Sequence, residues 1–128
     1  MPLPSTDFDP TEAAVPWQIF VAAGHSAIFA TPNGKAACAD ERMLTGKGLS
    51  LLRRLLMAHP NAVKKYHAMS VDAKFTAPLS YDQARLGKFD AIFLPGGHAA
   101  GMKIYLESPI LPYIPRSNRV NFCLQVYV

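Results

Sequence analysis

Cysteine is scarce: the 128 residues hold two, Cys38 and Cys123, and neither stands in a Cys-x-x-Cys pair. A disulfide framework and a structural zinc site both need more thiols than that, so two free thiols are expected. Long apolar runs are missing as well. No stretch approaches the ~18 residues of a membrane span, and the opening Met1-Pro2-Leu3-Pro4 lacks the basic, apolar and cleavage regions of a secretory signal. A cytoplasmic location is the expectation. Charge is thin too, at 17% of residues, with 13 Lys and Arg over 9 Asp and Glu giving +4 and a pI near 9.2. The basic residues are scattered. Arg53-Arg54 and Lys64-Lys65 are only pairs among apolar positions, which reads as solvated helix faces, and no nucleic-acid or membrane partner is expected.

Half of the residues are apolar, enough for a core in a single domain spanning residues 1–128. Eleven prolines and eight glycines divide the chain into short elements, without repeats or low-complexity tracts. Asp9-Pro10-Thr11-Glu12 has the order of an N-cap, a proline at the first helical position and a carboxylate at the third, and predicts a helix over about 10–23, stopped by Gly24. Pro16 lies inside it, so a kink or a restart is expected there. Ala27-Ile28-Phe29-Ala30-Thr31 before Pro32-Asn33-Gly34 reads as a buried strand, and Phe89 to Leu94 before Pro95-Gly96-Gly97-His98 as another. Residues 35–46 read as an irregular loop. Leu49, Leu52, Leu55 and Leu56 have helical spacing, Asn61 to Met69 predicts a short helix, and 70–88 reads mostly as loop with a helical turn at 81–86. Strands alternating with helices imply an α/β fold with a mainly parallel sheet, whose ligands bind outside the carboxyl ends of the strands. The Gly96-Gly97 turn lies at such an end.

Several residues near that turn have more than one reading. Glu12 at the third helical position can close a capping box on Asp9. Gly96 and Gly97 can be a plain turn, although glycine also permits a close backbone approach to a ligand. His98 can line a pocket or face solvent. His25, His59 and His67 share no metal-ligand spacing, and no metal or cofactor is expected. Gly96 and Gly101 have the separation of a phosphate loop, but Met102 stands where that loop needs lysine and Ile104 carries no hydroxyl.

Taken together, the segments Asp9-Pro10-Thr11-Glu12-Ala13-Ala14-Val15-Pro16-Trp17, Phe29-Ala30-Thr31-Pro32-Asn33-Gly34, Met43-Leu44-Thr45-Gly46 and Leu94-Pro95-Gly96-Gly97-His98-Ala99-Ala100-Gly101-Met102 resemble the ThiJ/PfpI family of the class I glutamine-amidotransferase-like superfamily, in its heat-shock-chaperone and glyoxalase branch. The resemblance covers residues 5–111. It implies a flavodoxin-like sandwich and cofactor-independent, glyoxalase-type conversion of a small 2-oxoaldehyde, methylglyoxal to lactate, by a cysteine on a sharp strand-to-helix turn. It also implies that Glu12 contacts the thiol and that the Gly97 N–H donates to the developing oxyanion; Gly96 and His98, which flank Gly97 in the turn, are expected to line the pocket.

The ends depart from this pattern. Pro2 and Pro4 remove ladder donors from the segment where the family has a full first strand. Pro115 shortens the helix that Ser108-Pro109 begins, within an atypical tail over 112–128. Cys123 is the cysteine near the nucleophile's place, but Leu124-Gln125 follow it where the family has histidine and a small residue. The alternation of Val120, Phe122, Leu124, Val126 and Val128 with polar neighbours reads as a half-exposed strand, so an ordinary thiol is expected at Cys123. The chain is therefore expected to be a partial flavodoxin-like sandwich lacking most of the first strand and the C-terminal strands, with impaired or absent turnover. The alternatives are a non-catalytic chaperone-like module or an inactive remnant, and association, a homodimer included, through exposed sheet edges.

Overall fold

The computed structural model describes residues 1–48, 57–102 and 121–123. Helix α1 (Pro10–Ala22) starts as its sequence dictates: the Asp9 carboxylate accepts from the Thr11 N–H at 2.7 Å, and Pro10 takes the first helical position, where a missing donor costs nothing. It runs through Pro16 without a restart. The end is closed by Gly24 N–H donating to Val21 C=O at 3.0 Å and His25 N–H to Phe20 C=O at 2.9 Å, a Schellman arrangement.

Strand β1 (Ala30–Thr31) follows, then α2 (Glu41–Thr45), α3 (Pro60–Ser70), α4 (Ala73–Thr76), β2 (Leu79–Ser80), α5 (Tyr81–Leu86), β3 (Ala91–Phe93) and β4 (Asn121–Cys123). The α/β class holds: β1 pairs with β2 and β3 with β4, both parallel, with Ala30 opposite Leu79 and Phe93 opposite Cys123. No helix among the described residues is long and apolar enough to cross a membrane.

Three sequence expectations need correction. The segment 35–46 contains α2, begun by the Asp40 carboxylate on the Arg42 N–H at 2.9 Å and ended by Gly46 in the left-handed conformation. The stretch 70–88 holds α4 and β2 besides the expected turn of helix at 81–86, with Asp72 and Ser80 as N-caps. These elements are too short for apolar periodicity, so only their caps announce them. The third concerns β3, where Ala91 is exposed and Ile92 and Phe93 are half-buried, so the segment is not enclosed on both faces until Leu94. The helix expected at 49–56, the one beginning at Ser108 and the tail beyond Cys123 lie outside the described residues.

The first nine residues are the least foreseeable part. Pro2 makes an isolated parallel bridge with Ala30 and no full strand forms. Leu3, between the two prolines, supplies the donor that reaches Ala30 C=O at 2.8 Å, while Ala30 N–H returns to Met1 C=O at 3.1 Å. Alternate N–H groups of an extended chain point to opposite edges, so the prolines fall on the edge facing away from β1. Further along, Cys38 N–H donates to Ser5 C=O at 3.0 Å and Asp40 N–H to Phe8 C=O at 2.9 Å. The Tyr81 hydroxyl donates to Leu3 C=O at 2.6 Å, and burial raises its pKa, which keeps it a donor.

The core gathers around this segment. Leu3, Phe8 and Phe29 are fully buried, with Trp17 and Ala13 from α1 and Met69 from α3. Phe75 stands edge-on to Phe29 at 5.1 Å and to Phe8 at 6.4 Å, and Tyr66 lies 6.0 Å from Phe8. Because Leu3 is a full core member, Leu3→Ala should cost about 2–5 kcal/mol in urea unfolding. A cost below about 0.5 kcal/mol, the scale of a surface change, would show the segment to be a frayed end.

Candidate functional site

Strand β3 ends at Phe93, and Leu94 and Pro95, both buried, follow it and deliver Gly96 to the first turn of α1. Both backbone groups of Gly96 are used there. Its N–H donates to Glu12 Oε2 at 2.7 Å, and its carbonyl accepts from the Asp9 N–H at 3.2 Å. The contact joins residues 84 apart in sequence. A Cβ on Gly96 would overlap the Glu12 carboxylate and push it from this position, so glycine permits the close approach.

This geometry excludes the capping-box reading of Glu12. A capping box needs the Glu12 side chain on the Asp9 N–H, but that donor goes to Gly96. Asp9 caps the helix by its own carboxylate, on Thr11 and, at 3.3 Å, on Glu12 N–H, while the Glu12 carboxylate is half-buried against the turn. The N-terminal end of α1 favours a negative charge at that point.

Gly97, next along, has an N–H without a hydrogen-bond partner among the described residues. A Cβ here would lie 2.8 Å from Met102 Cγ and 3.2 Å from the Asp7 carbonyl, so any side chain would force Met102 and the Asp7 backbone to shift. His98 is exposed. Cys123 closes β4 at the level of Phe93, which places its backbone at the same carboxyl edge from which residues 94–97 leave β3. The topology thus brings Glu12, Gly96 and Gly97 together and puts residue 123 on that edge.

The other candidates fall elsewhere. Cys38 is exposed in the loop ahead of α2, and His59 caps α3, its Nδ1 accepting from Asn61 N–H at 3.2 Å. Among the described residues no group of three His, Cys, Asp or Glu could hold a metal ion. Sequence reasoning missed Asp7, whose Oδ2 accepts from Gly101 N–H at 3.1 Å. Its spacing gives no signal, and only aspartate's tolerance of unusual backbone angles could have hinted at it.

A parallel α/β arrangement with a glycine turn at the carboxyl edge, bonded to a glutamate of the first helix, defines an α/β protein with its candidate site at a strand end. The family model described as "ThiJ/PfpI family-like" matches residues 3–123, and the chain belongs to that family. A relative, the uncharacterized protein C14C4.04 of Schizosaccharomyces pombe, is 33% identical over 126 residues, which cover 93% of this chain and 46% of that protein. The chain thus spans about half the length of the curated relative it matches. No solved structure matches.

The crowding at Gly97 sets a measurable cost. Gly97→Ala should destabilise by about 1–3 kcal/mol, the range for overpacking, because Met102 can move but the Asp7 carbonyl is backbone. An unfolding midpoint unchanged from the parent chain would show that the turn has more room than this geometry allows.

Proposed function

We propose that this chain carries the carboxylate and amide side of a ThiJ/PfpI thiol site for a small carbonyl compound, and that its own glyoxalase-type turnover of 2-oxoaldehydes such as methylglyoxal is weak or absent. The observation that carries the reading is the 2.7 Å bond from Gly96 N–H to Glu12 Oε2. It fixes a proton acceptor beside the Gly97 N–H, which has no hydrogen-bond partner among the described residues.

The chemistry such a site serves begins with a thiolate adding to the aldehyde carbon. A carbon–sulfur bond forms, the carbonyl π bond breaks, and its electrons settle on oxygen, where a fixed N–H stabilises the charge by about 3–4 kcal/mol. Proton transfers through a carboxylate and the net addition of one water then convert methylglyoxal to lactate. Glu12 and Gly97 suit the second and first of these tasks. The thiol is the weak member: Cys123 is the last residue of β4, and in the sequence Leu124-Gln125 follow it where a thiol activated by a neighbouring histidine or cation would need one.

Methylglyoxal loss and lactate formation with the purified chain should stay within about two-fold of the uncatalysed rate, since an unactivated thiol has only a few per cent thiolate at neutral pH. Cys123→Ser should change nothing, and hydroxyacetone, an unreactive carbonyl probe, should still shift the Gly97 amide resonance. Turnover abolished by Cys123→Ser and lowered about 100-fold or more by Glu12→Gln would instead establish a working enzyme.

A further inference from the structure

We propose that Asp7 is a positioning residue, which fixes the turn after β3 from its far end and so aims the Gly97 N–H; this rests on the reading of that turn as the carbonyl-binding side of the site. Asp7 is the one non-glycine residue with a positive φ, 71°, among the described residues. That conformation is unfavourable for an L-residue, and strain of this kind persists where the surroundings over-determine it.

What Asp7 contributes in that conformation is specific. Its Oδ2 accepts from the Gly101 N–H at 3.1 Å, across 94 residues of sequence, while its carbonyl lies against Gly97. The turn is therefore held at two points. Gly96 is bonded to Asp9 and Glu12, Gly101 is bonded to Asp7, and Gly97 lies between them, its donor without a partner among the described residues. Both bonds to carboxylates are charge-assisted and stronger than neutral ones. A turn tethered only at Gly96 would leave the direction of the Gly97 N–H to the loop itself. Gly101 also packs too closely on the strained segment for a side chain, a Cβ there falling 2.6 Å from the Thr6 carbonyl and 2.9 Å from Asp7 Cβ. The tether and the close contact act at the same place.

Two substitutions separate positioning from simple support. Asp7→Gly accepts the backbone angle without strain but removes the acceptor, so the fold is retained. Asp7→Asn keeps both an acceptor and tolerance of the left-handed region. In the full chain, amide hydrogen exchange at Gly101 should be about ten-fold faster or more in Asp7→Gly and within about two-fold of the parent in Asp7→Asn, the scale of one bond to a charged acceptor. The apparent affinity for hydroxyacetone, read at the Gly97 amide, should fall by about ten-fold in Asp7→Gly and return in Asp7→Asn. Parent-like exchange at Gly101 in Asp7→Gly would overturn the tether. Faster exchange with an unchanged hydroxyacetone response would overturn the positioning role. A Gly97 amide that ignores hydroxyacetone in the unsubstituted chain would overturn the carbonyl-binding reading, and this proposal with it, before any variant is made.

Discussion

The peptide groups of Gly96 are bonded on both sides to the first turn of α1, by the Asp9 N–H and the Glu12 carboxylate. This junction ties the end of β3 to the start of the helix, and most of the site follows from it. A side chain at residue 96 would displace the carboxylate that occupies the space of a Cβ, and Glu12 cannot complete a capping box because its expected partner is taken. One N–H is spent on structure, and the neighbouring one at Gly97 has no partner among the described residues.

The junction depends in turn on the segment before it. Residues 1–9 bond to β1 through Leu3, to the loop ahead of α2 through Ser5 and Phe8, and to the turn after β3 through Asp7 and Asp9. Phe8 reaches the aromatic group of Tyr66 and Phe75, while Leu3 sits in the same core and receives the Tyr81 hydroxyl on its carbonyl. A segment with two prolines in its first four residues thus holds a place at the middle of the described structure without forming a strand. Its pairing needs only the donors that remain.

Much of this was legible in the residues. Asp9-Pro10 announced α1, Pro60-Asn61 led into α3 one residue earlier than expected, and the apolar run before Pro95 announced β3. The α/β class followed from alternation alone. Helices α2 and α4 were not seen because one or two turns cannot show a period, although Asp40 and Asp72 were available as caps. The role of Glu12 was open between two partners, since local sequence cannot tell that Asp9 N–H turns to a residue 87 positions away. Asp7 gave no signal: its importance comes from a backbone angle and a contact with Gly101, which only the tertiary arrangement creates.

The junction itself can be read most directly from the Gly96 amide resonance followed through an acid titration, in the parent chain and in Glu12→Gln. With Glu12 as acceptor, the Gly96 proton should move with the ionisation of a single carboxyl group, because a charged acceptor polarises the N–H more than a neutral one. The same resonance should stay flat over that range in Glu12→Gln. A Gly96 amide that does not move, or that moves alike in both chains, would contradict the bond on which the site is built.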